Sequence, residues 1–280
     1  KEYRAEKDNE FNKGSKIESF KPTEEKLNDL KILGMVWGFL KYHHPSIAAG
    51  DYNWDYELFR VLPSIIEAKN SSDRDNILSN WIKSLGDLEE TQETIKGIEV
   101  KIKPDLDWVN SSNFSADLVS TLTKVKNAKR GNENYYVSLI ENVKNPDFSN
   151  ERPYSEMKYP DTGFRLLSLF RYWNIIQYYF PYKNLIEEDW KGVLKEFIPK
   201  FINAESEIEY KLASLELIAR VHDTHANIWG QDAALSKYWG ENYSPLKLTF
   251  IENKAVITDF YDKELGEKTG LIIGDVITKI

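Results

Sequence analysis

The sequence predicts a mainly α protein: duplicated three-helix units separated by a small β-containing insert and followed by a short β segment. Three observations carry this. Two ten-residue stretches, "VWGFLKYHHP" at 36–45 and "YWNIIQYYFP" at 172–181, match in character. Apolar residues recur at helical spacing in both halves of the chain. From residue 243 the pattern changes to short alternating apolar and polar runs around a turn.

Sliding the chain against itself by 136 residues extends the match without a gap. Leu30 falls on Leu166, Leu33 on Leu169, Trp37 on Trp173, Tyr42 on Tyr178 and Pro45 on Pro181. Trp54 then falls on Trp190, Leu58 on Leu194, Pro63 on Pro199, Ile66 on Ile202, Ala68 on Ala204, Ile82 on Ile218 and Asp87 on Asp223. Tryptophan and proline are rarely matched by chance, so internal duplication is the leading reading. Shared helical patterning is the other. The copies span 23–87 and 162–232.

Each copy reads as three helices. The first starts at about Thr23, with Glu24 and Glu25 in a first turn that favours acidic residues. Leu27, Leu30, Leu33, Trp37 and Leu40 form its core stripe, and Pro45 or Pro181 stops it. The second helix, "WDYELFRVLPSIIEA" or "WKGVLKEFIPKFINA", carries an interior proline that is expected to kink or break it. The third ends near the shared aspartate. Residues 88–161 read as an irregular insert: "GIEVKIKPDLDW" is a charged loop, "ENYYVSLI" a short strand, and "NPDFSNERPYSEMKYPD" a turn-rich connection. The polar, unpatterned residues 1–22 are expected to be flexible.

Composition narrows the function classes. With 41% hydrophobic and 29% charged residues the chain reads as globular, and no apolar run is long enough for a membrane span. A net charge of −8 argues against a general nucleic-acid binder. Zero cysteines exclude disulfides, thiol nucleophiles and thiolate metal sites. The chain starts at Lys1 rather than Met, which suggests a removed leader or a tag. The apolar ending "LIIGDVITKI" lacks the partners a strand needs, so the sequence is expected to be the front part of a longer protein.

Half of the four histidines lie in "VHDTHANIWG", residues 221–230. His222 and His225 stand three apart, as in some metal sites, but adjacent His43 and His44 would not share one face and no HExxH motif is present. No metal or other cofactor is expected. His222 is expected to cap the third helix of copy 2, with Asp223 and Thr224 forming the turn. His225 has no counterpart in copy 1. It is either a functional residue or a buried histidine that fixes the turn. No Gly-x-Ser-x-Gly, Ser-x-x-Lys or phosphate-loop motif appears, so no catalytic set can be assembled.

The string "EKTGLIIGDVITKI", 267–280, resembles the core of a bacterial PDZ domain, with Gly270, Leu271, Gly274, Asp275, Val276 and Ile277 matching. Thr269 stands where a small residue is usual. A PDZ-like segment preceded by aromatic helices and Asp223-Thr224-His225 resembles the carboxy-terminal processing (tail-specific, tricorn-like) serine peptidases. Their matching segment is Asp-Gly/Pro-His, so Thr224 is a departure. The resemblance covers about 60 residues at the C-terminal end and, more loosely, the helical part.

The resemblance implies that 243–280 begins a PDZ-like domain and that the nucleophile and base lie downstream, outside this chain. This portion would supply scaffold and peptide-binding surface, with Tyr243, Ser244, Leu246, Lys247 and Leu248 holding a peptide or protein substrate at a sheet edge. Pro245 offers no N–H there. Asp223 and His225 would border the cleft. The implied location is extracytoplasmic, periplasmic or cell-envelope. The alternative is a non-enzymatic helical-repeat and PDZ-like interaction module. A third reading is a metal-dependent hydrolase using the histidines.

Overall fold

The computed structural model describes residues 2–89, 104–228, 230–240 and 242–279. Much of the expected charged loop at 97–108 lies outside the described residues. The chain divides into two compact units, Lys1–Trp229 and Gly230–Ile280.

The first unit is helical. Its elements are α1 (Glu24–His43), α2 (Pro45–Ala48), α3 (Trp54–Glu67), α4 (Ser71–Ser84), α5 (Trp108–Ser111) and α6 (Ala116–Lys126). Two short strands follow, β1 (Ser138–Leu139) and β2 (Pro146–Asp147), paired antiparallel. Then come α7 (Thr162–Tyr179), α8 (Trp190–Asn203) and α9 (Glu207–Ala219). Side-chain caps fix the helix starts: the side chains of Thr23, Asn53, Asn70, Asp161, Asp189 and Ser206 each accept a backbone N–H from the first turn.

The sequence offset of 136 reappears in geometry. α8 is α3 moved by 136 at both ends, and the starts of α4 and α9 differ by the same step. In the first set Trp37 Nε1 donates to Trp54 O at 2.9 Å, and Trp54 Nε1 donates back to Trp37 O at 2.9 Å. In the second set Trp173 Nε1 donates to Trp190 O at 2.7 Å, and Trp190 Nε1 returns the bond to Trp173 O at 3.2 Å. Each indole fills the core and also satisfies its own N–H, which a buried tryptophan requires.

α1 and α7 lie side by side, meeting at positions that differ by 136. A side-chain carbon on Gly34 would sit 2.8 Å from the Phe170 ring, and one on Gly38 would sit 1.8 Å from Asn174 Oδ1. Tyr42 meets Tyr178 edge-on at 5.5 Å. Since 34, 38 and 42 meet 170, 174 and 178 in that order, the helices run in the same direction along their seam. Asn174 Nδ2 donates to the Gly34 and Phe170 carbonyls at 3.0 and 2.8 Å, which locks the register.

Three expectations are corrected. Residues 2–22 are laid against the helices: Phe11 packs on Tyr56 and Phe59, and the buried Ser15 backbone N–H donates to Asp161 at 2.7 Å. Its apolar anchors Ala5, Phe11 and Ile17 are too sparse to register as a period. The helices also continue through Pro63 and Pro199. Pro63 is exposed and Pro199 half-buried, so both rings sit away from the centre of the core. Finally, the insert is partly helical. α6 is capped by Ser115 and buries Leu118, Leu122 and Val125 against α4, while the expected strand at 133–140 shrinks to β1.

The second unit holds α10 (Ala233–Trp239), β3 (Leu246–Ile251), β4 (Lys254–Phe260), α11 (Lys263–Lys268) and β5 (Val276–Ile277). The strands form an antiparallel sheet in the order β3-β4-β5. Glu252 and Asn253, at φ 49 and 60, make the two-residue turn between β3 and β4, the type that needs positive φ at both positions. Gly266 packs so closely that an added side-chain carbon would sit 2.2 Å from the Phe260 ring. Among the described residues, no helix is long and apolar enough to cross a membrane.

Candidate functional site

α9 ends in three tightening turns, with Arg220, Val221 and His222 donating to carbonyls three residues back. Arg220 ties this end to the start of α8 through Glu188 and Glu196, and His222 turns the chain at φ 56. His222 Nε2 lies 3.6 Å from Glu188 Oε1, so its ring faces that carboxylate.

The turn that follows is built by Asp223. Its Oδ1 accepts the His225 backbone N–H at 2.8 Å and lies 3.0 Å from His225 Nδ1. An aspartate accepting the N–H two residues on is the usual Asx-turn. The His225 backbone bond, reinforced by its ring, holds the Asp223 carboxyl below the ordinary carboxylate range. The His225 side chain is 90% exposed, so the turn is fixed by Asp223 rather than by a buried imidazole. An aspartate at Nδ1 orients an imidazole for acid–base work at Nε2. Tyr172 of α7 lies in the field of Asp223: burial and that charge raise its hydroxyl to about 12.

The five expected peptide-binding residues lie in the second unit. Tyr243 is exposed, and Ser244 Oγ accepts the Leu246 N–H at 3.2 Å. Pro245 O accepts the Tyr261 N–H at 2.7 Å. With the Leu246 donor engaged and Pro245 lacking one, this loop has few N–H groups for a carboxylate. Lys247 and Leu248 lie on β3, which has β4 on one side and, among the described residues, no strand on the other. A bulge between Lys247 and Leu248 leaves Thr258 unmatched. Its Oγ1 donates to Lys247 O at 3.3 Å.

A buried ionic cluster in the first unit escaped sequence reasoning. Lys41 pairs with Glu151, while Arg171 pairs with Asp55 and reaches Glu151 Oε2 at 3.3 Å. Tyr154 OH donates to Asp55 at 2.9 Å, and Arg171 also donates to Arg152 O at 2.8 Å. Lys41 is fully buried, with its ammonium 4.9 Å from the Trp37 ring centre and 5.2 Å from that of Tyr136. Burial pushes Lys41 below the ordinary lysine value, and Glu151 opposes that. Two cations and two carboxylates, the most open of them Arg171 with 14% of its side chain exposed, join α1, α3, α7 and the insert. The only sequence signal was a lone lysine inside an aromatic stripe.

Among the described residues, no group of three or more histidine or acidic side chains is placed to hold a metal ion. Comparison with known proteins found no matching family model, no matching curated protein and no matching solved structure.

Proposed function

We propose that this chain is the N-terminal scaffold and peptide-binding portion of a serine peptidase of the carboxy-terminal processing type, acting outside the cytoplasm. The full-length protein would cleave peptide bonds through an acyl-enzyme. The observation that carries this reading is the turn before β5. Gly274, at φ 98, donates its N–H to Ile257 O at 2.8 Å, and Asp275 Oδ2 accepts the Ile272 N–H at 2.9 Å. This turn supports the resemblance carried by "GLIIGDVI". A peptide would add to the free edge of β3.

The binding half is tested with labelled peptides bearing either a free or an amidated C-terminus. Because the loop before β3 has few N–H groups for a carboxylate, binding is expected to rest on backbone pairing at the β3 edge and to differ little between the two peptides. No binding of either peptide removes the assignment. In the full-length protein, His225→Ala is expected to lower turnover by about 10–100-fold, because a misplaced reacting group is costly. The exposed ring predicts little change in Tm. Unchanged turnover would leave His225 only a turn residue. The exposed Phe250, Ile272, Ile273 and Tyr243 favour the non-enzymatic interaction module as the second reading, which predicts peptide binding without turnover.

We also infer that the helical unit arose by duplication. The reciprocal tryptophan bonds and the seam of equivalent residues support this. Under two-fold equivalence, an asparagine at 38 would reach the same two carbonyls that Asn174 now uses. Gly38→Asn alone is expected to cost about 1–3 kcal/mol through overpacking. Adding Asn174→Gly should recover most of that in urea denaturation. A double variant as unstable as the sum of the singles would overturn the equivalence.

A further inference from the structure

Lys41 sits in a setting that suits an amine better than an ammonium. Its side chain is wholly buried, and among the described residues its Nζ makes one hydrogen bond, to Glu151 Oε1. An ammonium carries three donors. The other neighbours of Nζ are aromatic: the ring centres of Trp37, Tyr136 and Tyr42 lie at 4.9, 5.2 and 5.8 Å. Lys26 is the contrast, because its Nζ reaches Asp29 and the carbonyls of Ile65 and Ala68. Burial pushes Lys41 below the ordinary lysine value, Glu151 opposes that, and Arg171 adds to the push.

A buried charge with so few partners is relieved by neutralising. Passing the proton from Nζ to Glu151 Oε1 leaves an amine in contact with a carboxylic acid. The acid is held from its far side, where Oε2 lies 3.3 Å from Arg171 Nε. The Glu151 side chain is 8% exposed, so water is largely kept from the pair.

We propose that Lys41 and Glu151 become joined by an isopeptide bond that forms within the folded chain. Lys41 Nζ attacks Glu151 Cδ, and a nitrogen–carbon bond forms. The negative charge developing on Oε2 faces Arg171, as a fixed cation should. The bond from Cδ to the protonated Oε1 then breaks, and that hydroxyl leaves as water with the second proton of the nitrogen. Asp55, bonded to the same Arg171 Nε at 3.2 Å, is the carboxylate assigned to carry that proton. One amide and one water are made, and nothing is oxidised or reduced. Well-oriented groups in one molecule react as if at about 10⁵–10⁸ M, which offsets the cost of expelling water. The bond would tie α1 to the insert across 110 positions, in a chain that has no cysteine to do so.

The test is mass spectrometry of the purified chain after prolonged incubation, folded, at neutral pH. The intact mass is expected to fall below the sequence mass by one water, completely or in a fraction that grows with time. Trypsin should then leave Lys41 uncut and release a branched peptide that contains both Lys41 and Glu151. Lys41→Met should restore the full mass, while Lys83→Met, which removes an exposed partner of Asp117, should keep the loss. Should Lys41→Met fail to fold, the branched peptide of the wild-type chain decides alone. Full sequence mass in the folded wild type, or a water loss that maps elsewhere or persists in Lys41→Met, would overturn the proposal.

Discussion

Replacing Arg171 with Met is expected to destabilise the helical unit by about 3–5 kcal/mol, because it strands buried carboxylates without a counter-charge. Arg171 meets Asp55 through two nitrogens, reaches Glu151, and lies 5.2 Å from the Tyr154 ring centre. Burial works against its charge, and Asp55 and Glu151 together overcome that. Without it, Asp55 keeps the Tyr154 hydroxyl, and Glu151 keeps Lys41 alone. Urea denaturation followed by near-UV circular dichroism reads the loss. Arg60→Met is the comparison: Arg60 also meets three carboxylates, but its side chain is a third exposed, so its loss should cost about 1 kcal/mol or less. Adding Asp55→Asn to Arg171→Met should recover part of the cost, since both charges of one pair are then gone. A loss below about 1 kcal/mol for Arg171→Met would show that the cluster contributes no more than a surface pair.

That cluster also marks where sequence reasoning stops. Helix starts at Thr23 and Trp54, the stop before Pro45 and the turn at Glu252-Asn253 follow from side chains acting within a few residues. They were legible for that reason. Asp223 and His225 were likewise legible as one turn, being two residues apart. Lys41 and Glu151 are separated by 110 positions, and Asp55 and Arg171 by 116. No periodicity reports a pairing at that distance. α6 is a different kind of miss. Ser115 at its cap and Leu118, Leu122 and Val125 at helical spacing were available, but a segment rich in Ser, Thr and Asn was read as irregular. Pro63 and Pro199 are the opposite case: the local rule allows a break, and both helices run on through the proline.

The corner where α1 gives way to α2 predicts acid sensitivity. His43 and His44 are buried there, and burial is the main reason both are lowered from 6.5 to about 4. Arg130 lowers His43 further, while its bond with Phe39 O at 2.9 Å opposes the shift. For His44 burial acts alone, and neither ring nitrogen has a hydrogen-bond partner among the described residues. Folding lowers both values, so between pH 6.5 and about 4 the unfolded chain binds more protons than the folded one. Their contribution is complete above the unfolded value and is lost as pH falls toward the folded one. At about 1.4 kcal/mol for each pH step, each histidine accounts for about 3 kcal/mol. Urea denaturation at about pH 7 and about pH 4.5 should therefore show a fall of several kcal/mol. His44→Leu should remove roughly half of that fall, and should leave stability near pH 7 within about 1 kcal/mol because no hydrogen bond is lost. An equal fall in wild type and His44→Leu would place the acid sensitivity elsewhere. If the slopes differ as expected, protonation of His44 supplies its half of the fall and His43 the rest.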